Sequence, residues 1–286
     1  MKDFRDRVAA ITGAGSGIGR ALALQLAADG CHLSLSDVDA EGLAETVRQL
    51  GAPRVKVTTA TVDVADRAQV EAWATQTVAD HERVHMIFNN AGVALGGTVE
   101  GTTIEEYEWI VGINFWGVVY GTKAFLPHLR AAGEGHVINI SSIFGLFSQP
   151  TQSGYNATKF AVRGFTESLR QELDLAGGAV SATCVHPGGI KTNIAANART
   201  NGSVAKMTGK DPVSSQKDFE KLFRTTADEA AGIILKAVRR NDRRVLVGPD
   251  AKVIDICQRL LPTAYQRLVT RAVRSQSRKS AGKKSA

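Results

Sequence analysis

Short apolar runs alternate along the chain with longer segments whose apolar residues recur every three or four positions. Val8–Ile11, Cys31–Leu35, Val55–Thr61, His85–Phe88, Val137–Ile140, Val180–Val185 and Arg244–Val247 read as strands. Arg20–Ala28, Glu41–Leu50, Arg67–Asp80, Ile104–Leu129 and Tyr155–Leu175 read as helices. Strands alternating with helices predict βαβ units, hence a single-domain α/β fold: a doubly wound parallel sheet with helices on both faces. Several strands are apolar at nearly every position, as strands covered on both sides should be.

The pattern weakens toward the end. Residues 193–225 are rich in Asn, Lys, Thr, Ser and Gly and predict a mobile loop within a main domain spanning 1–250. In the extension 251–270, Val253, Ile256, Leu260, Ala264 and Leu268 recur at helical spacing, with Ile254, Cys257 and Leu261 beside them. Pro262 interrupts that helix. Such a stripe is expected to pack on the chain's own cleft or on a neighbouring subunit, in preference to an anionic membrane.

The formal net charge of +7 first suggests a nucleic-acid partner, but six of those charges sit in residues 271–286, leaving the rest at +1. A nearly neutral body argues against nucleic acid, and the basic tail reads as a disordered end. The three cysteines, Cys31, Cys184 and Cys257, form no C-x-x-C pair and suit a reducing cytoplasm. Lys2, Asp3, Arg5, Asp6 and Arg7 precede any apolar run, which predicts no signal peptide. The longest uncharged stretch, residues 137–158, holds too many Ser, Gln, Asn and Gly to span a bilayer. No His, Asp and Glu set has metal-ligand spacing, so no metal is expected.

Chemistry concentrates in two places. Residues 12–19, Thr-Gly-Ala-Gly-Ser-Gly-Ile-Gly, follow the first strand and open the first helix. Free N–H groups and the helix dipole there suit a pyrophosphate, and glycines let the backbone approach it. Asp37, at the end of the second strand, suits adenosine ribose hydroxyls and would repel a 2′-phosphate, which favours NAD over NADP. Further on, Tyr155 and Lys159 are four residues apart on one helix face. A phenol with a pKa of about 10 is a poor base, and a nearby ammonium lowers that value. Tyr155 could then give or take a proton, with Ser142, 13 residues upstream, holding the substrate oxygen. Ser141 competes for that role, and period-2 alternation lets one of the two face the cleft.

These pieces resemble the short-chain dehydrogenase/reductase family. The matching residues are Thr12-Gly13 with Gly17 and Gly19, Asp63-Val64, Asn89-Asn90-Ala91-Gly92, Asn114, Ser141-Ser142, Tyr155 with Lys159, and Pro187-Gly188-Gly189. The resemblance implies a Rossmann-type NAD(P)-binding oxidoreductase that interconverts an alcohol and a ketone or aldehyde. Asn114 would distort its helix and hold a water linking Lys159 to solvent, Ser142 would orient the carbonyl, and Tyr155 would transfer the proton. Lys159 would bind the nicotinamide ribose and lower the Tyr155 pKa. Gly13, Ser16, Gly17, Ile18 and Gly19 would cradle the cofactor phosphates. Asp37 would hold the ribose, Asp63 and Val64 the adenine, and Asn90, Ala91 and Gly92 the adenosine-side ribose region. Pro187, Gly188 and Ile190 would line the nicotinamide, with Thr192 near its carboxamide. Helices over 107–129 and 155–175 resemble the family's subunit-packing pair, implying a homodimer or homotetramer.

Ile143, Phe144, Leu146, Phe147 and Leu95 would make the cleft wall apolar, which favours a hydrophobic substrate over a sugar. The rival reading from another class is a catalytically inactive nucleotide sensor or scaffold on the same fold. The intact Asn114, Ser142, Tyr155 and Lys159 weigh against it.

Overall fold

The first strand, Val-Ala-Ala-Ile-Thr, is buried at all five positions. Its alternation feeds two cores: Ala9 and Ile11 face one layer of helices, Val8 and Ala10 the other. A computed structural model describes residues 1–52, 54–194, 196–209 and 224–284. Within them, seven strands form one parallel sheet: β1 (Val8–Thr12), β2 (His32–Asp37), β3 (Val57–Thr61), β4 (Met86–Asn89), β5 (Gly135–Ile140), β6 (Val180–Pro187) and β7 (Arg244–Val247). Their spatial order is β7-β6-β5-β4-β1-β2-β3.

The helices are α1 (Gly17–Ala28), α2 (Ala40–Leu50), α3 (Arg67–His81), α4 (Ile104–Val111), α5 (Gly117–Ala131), α6 (Ser153–Leu175), α7 (Ser203–Thr208), α8 (Ala227–Arg240), α9 (Pro249–Leu260) and α10 (Tyr265–Lys284). Leu22 and Leu26 of α1, Leu43 of α2, and Ile234 and Val238 of α8 close one face of the sheet. Trp73 of α3, Phe125 and Leu129 of α5, and Leu169 and Leu173 of α6 close the other. The Trp73 and Phe125 rings meet edge to face, 4.9 Å between centroids.

Three expectations need correction. The helix expected over Ile104–Leu129 is two α-helices joined by a π-helical turn, Gly112–Trp116, and it ends at Ala131. The wide turn has a cause: the Asn114 amide pairs with both backbone groups of Val93, which pulls it out of the α register. The tail expected to be disordered from 271 continues α10 through Lys284, in keeping with its Ala, Arg, Lys and Gln. Of the two partners expected for the stripe of Val253, Ile256, Leu260 and Leu268, the chain's own cleft is not one, since these side chains are exposed on the single chain. The inner face of α9 is instead Ala251, Ile254 and Asp255, because Asp255 pairs with Arg244 at 2.5 Å and Arg259 at 3.1 Å and turns that side inward.

The loop expected to be mobile lies partly outside the described residues, at 195 and 210–223. Its described ends are held in place. Arg199–Thr200 pairs in parallel with Leu95–Gly96, and Thr225–Thr226 with Ile190–Lys191. The Arg199 guanidinium lies 3.8 Å from the Trp109 ring centroid.

Candidate active site

From β1 the chain winds outward through β2 and β3, then returns to β4 on the opposite side of β1. At such a reversal the loops leaving the C-terminal strand ends open onto a common crevice. Those loops carry residues 13–19 after β1, 90–92 after β4, 141–142 after β5 and 188–192 after β6.

The glycine loop is as tight as its composition implies. Gly13 and Gly17 have φ of +66° and +52°, the left-handed region that favours glycine. A Cβ on Gly19 would fall 2.1 Å from the Gly13 carbonyl oxygen. Helices α2, α3, α4 and α8 are capped by the side chains of Asp39, Asp66, Thr103 and Thr226, whereas Ser16 makes no cap hydrogen bond on α1. That leaves the first N–H groups of α1 without a side-chain acceptor, as a phosphate-binding terminus requires. Asp37 Oδ2 accepts the Gly15 N–H at 2.8 Å, which sets the carboxylate against the loop. The Thr192 methyl sits 3.2 Å from where a Gly17 Cβ would stand, bringing the 188–192 loop over the same spot. This cradle fits a dinucleotide.

Asn90 braces the glycine loop. Its side-chain N–H groups go to the Thr12 and Gly13 carbonyls at 2.9 and 3.1 Å, so they brace the loop. Thr12 Oγ1 completes the brace by accepting the Asn90 and Ala91 N–H groups at 2.9 and 3.0 Å. Asp63 Oδ1 accepts the Ala65 N–H at 2.9 Å at the far end of the crevice, beside the buried Val64.

Asn114, Ser142, Tyr155 and Lys159 converge. A Cβ on Gly92 would meet Asn114 Oδ1 at 3.2 Å and Lys159 Nζ at 3.4 Å, so glycine is what lets these groups approach. Lys159 is buried; its Nζ donates to the Ile140 carbonyl at 3.0 Å and lies 5.6 Å from the Tyr155 ring centroid. The Ser142 hydroxyl accepts the Phe144 N–H at 3.2 Å. Ser141 points the other way and donates to the Lys159 carbonyl at 2.8 Å, as strand alternation demands.

Burial governs the protonation of this pair. It pushes the Tyr155 phenol up to about 12, against a lowering by the Ser142 hydrogen bond. It pushes the Lys159 ammonium down to about 8.

The comparisons with known proteins fall on this arrangement. A family model described as short chain dehydrogenase matches residues 7–202. The chain belongs to the short-chain dehydrogenase family. It is an NAD(P)-dependent oxidoreductase acting on CH–OH groups. It is 49% identical over 274 residues to an oxidoreductase of Mycobacterium tuberculosis named SadH, covering 96% of this chain and 97% of that one. It is 37% identical over 232 residues to levodione reductase of Leifsonia aquatica, covering 80% and 83%. Among solved structures, a short-chain dehydrogenase/reductase from Burkholderia phymatum in complex with NAD superposes with a TM-score of 0.84 at 31% identity, covering 93% and 97%.

In this short-chain dehydrogenase two side chains hold the site from outside its motifs. His186, next to the end of β6, is fully buried. Its Nδ1–H donates to the Ser142 carbonyl at 2.9 Å, and burial lowers its pKa to about 4, keeping the ring neutral. Asp250, at the start of α9, accepts the Gly189 N–H at 2.6 Å. Its place just before Pro187 could have flagged His186; nothing local links Asp250 to a glycine 61 residues earlier.

Proposed function

We propose that this chain interconverts a hydrophobic alcohol and its ketone or aldehyde with NAD(H) in preference to NADP(H), Tyr155 serving as the acid/base. The observation that carries this reading is the buried Lys159, its Nζ 5.6 Å from the Tyr155 ring centroid, at the end of the strand that leads to Ser142. The two hydroxyls, brought to one end of the crevice, would present one oxygen-binding point. In reduction Ser142 donates to the substrate carbonyl while Tyr155 passes it a proton; in oxidation Tyr155 accepts that proton. The nicotinamide, when bound, supplies or accepts the hydride.

The chain's residues divide the cofactor among them. The N–H groups from Gly13 to Gly19, with Ser16 and Ile18, take the pyrophosphate. Asp37 takes the adenosine ribose, Asp63 and Val64 the adenine. Ala91 and Gly92 lie along the ribose region that Asn90 braces. Pro187, Gly188, Ile190 and Thr192 flank the nicotinamide, and Lys159 its ribose. Asn114 lies beside Lys159 at Gly92, where it would hold a water that relays protons to solvent.

Apolar lining supports the substrate class. Phe147 and Tyr265 pack edge to face, 6.0 Å between centroids, at the outer wall. Phe144 packs edge to face on Tyr155 at 5.9 Å. Similarity to levodione reductase agrees with a carbonyl substrate. We also propose a homodimer or homotetramer, supported by Trp116 and Phe160, large apolar side chains 45% and 38% exposed on the outer helices.

A panel of alcohols with NAD⁺ and of ketones with NADH, read by NADH absorbance, tests the assignment. A chain that binds NADH yet turns over no member of either panel would instead be the inactive nucleotide sensor.

A further inference from the structure

The C-terminal helices carry their apolar residues on the wrong side for a protein core. On α9, Val253, Ile256 and Leu260 follow helical spacing and are 64%, 57% and 74% exposed. The opposite face, Ala251 and Asp255, is the buried one. On α10, Leu268 is 50% exposed, on the flank of a face whose Tyr265 and Val269 are half-buried against the chain. Arg267, Arg271 and Arg274 lie on the other face of α10 and are exposed. An exposed apolar stripe of this length, flanked by cations, needs an occupant.

Charge says which one. After Asp255 the chain carries eight Lys and Arg and no Asp or Glu. Residues 1–255, by contrast, sum to a net charge of −1. The positive charge of the whole protein is thus concentrated on the segment that bears the exposed stripe. A second copy would bring the same cations against themselves. An anionic bilayer satisfies both halves of the pattern, taking the apolar side chains below its headgroups while those headgroups pair with the arginines. No described helix is long and apolar enough to cross a membrane, so the contact lies in the interface plane.

We propose that α9 and α10 form a docking surface for anionic lipid bilayers. The same helices touch the catalytic cleft. The Tyr265 hydroxyl accepts the Ser148 N–H at 3.1 Å, its ring packs on Phe147, and Ile254 packs against Ile143 and Phe144. A bilayer seated on this surface lies against the outer wall of the cleft.

Vesicle flotation of the full chain tests this without reference to turnover. The probes are phosphatidylglycerol–phosphatidylcholine vesicles and pure phosphatidylcholine vesicles. The chain should float with the anionic vesicles at least about tenfold more than with the neutral ones, and less at high salt. Two triple variants change exposed residues only: Ile256→Glu, Leu260→Glu, Leu268→Glu, and Arg267→Glu, Arg271→Glu, Arg274→Glu. Both should stay unbound while keeping the parent's circular dichroism melt, NADH binding and light-scattering mass. A second readout uses Cys257, the exposed thiol beside the stripe; Cys31 and Cys184 are buried and their thiols pushed up. An environment-sensitive fluorophore on Cys257 should shift to the blue on adding anionic vesicles. A parent that does not float overturns the proposal, as does an apolar triple variant that floats undiminished. A fall in molecular mass of that variant also overturns it, since a second copy would then be the occupant.

Discussion

The Asp250 carboxylate, at the start of α9, receives the backbone N–H of Gly189 at 2.6 Å across 61 residues of sequence. A Cβ on Gly188 would fall 2.2 Å from the same carboxylate, so the loop leaving β6 is moulded around it. The Pro187–Thr192 loop is thus pinned by the C-terminal helix, and the extension takes part in shaping the cofactor crevice.

Asp250→Ala should therefore raise the NADH dissociation constant by about tenfold. A hydrogen bond to a charged group contributes about 1.5–3 kcal/mol, part of which is felt at the loop. Asp250→Asn keeps an acceptor and should recover most of the loss. NADH fluorescence titration measures both; an alanine variant that binds like the parent would remove Asp250 from this role.

Tyr155→Phe should reduce turnover by at least about 10²-fold while NADH binding stays within twofold or so of the parent, because the ring packs and the hydroxyl transfers the proton. Steady-state rates beside the same titration separate the two effects. Retention of most activity would take the proton transfer away from Tyr155.

Lys159 predicts a pH dependence of stability in the cofactor-free protein. Its folded pKa of about 8 lies below the ordinary value of 10.5, so between those values the folded state holds fewer protons than the unfolded one. Stability contributed by this group therefore rises with pH through that window, by at most about 1.4 kcal/mol per unit. In Lys159→Met the term is gone. Thermal melts between pH 7 and 10 should show the parent gaining on the variant above about pH 8; parallel curves would contradict the buried ammonium.

Asp37 should set the cofactor preference. Its Oδ1 accepts the Asp39 N–H at 3.1 Å and Oδ2 the Gly15 N–H, which holds negative charge where a 2′-phosphate would sit. Val38, 63% exposed, leaves room for a longer side chain. Asp37→Ser with Val38→Arg should lower the ratio of kcat/KM for NAD⁺ over NADP⁺ by about tenfold or more, by removing a repulsion and adding a cation. A parent that prefers NADP⁺ would refute the ribose assignment.

Trp116→Arg with Phe160→Arg should convert the proposed homo-oligomer to single chains at micromolar concentration, by placing charge where two apolar faces meet. Light scattering decides; a parent already of one chain's mass would dismiss the oligomer.

The sequence alone determined the parallel sheet and most of its helices, and it brought Ser142, Tyr155 and Lys159 forward as candidates. Strands and helices are written in local periods of two and about 3.6, and those periods are set by backbone geometry, not by the rest of the fold. Val8–Thr12 and Ser153–Leu175 lie within a residue or two of where their apolar patterns put them. Tyr155 and Lys159 were legible because four-residue spacing places two side chains on one helix face, and Ser142 because its spacing to Tyr155 separates it from Ser141.

What the tertiary structure decided are relationships between distant segments. Asn90 could be recognised but not its task, since the Thr12 and Gly13 carbonyls it braces come from another strand's end. The directions in which Tyr155 and Lys159 are shifted depend on how much water the surrounding layers exclude, which no local pattern records. On α9 the sequence offered an apolar stripe on one side and Ala251, Ile254 and Asp255 on the other. Periodicity cannot rank two such faces. The buried pairing of Asp255 with Arg244 did, turning Val253, Ile256 and Leu260 to the outside.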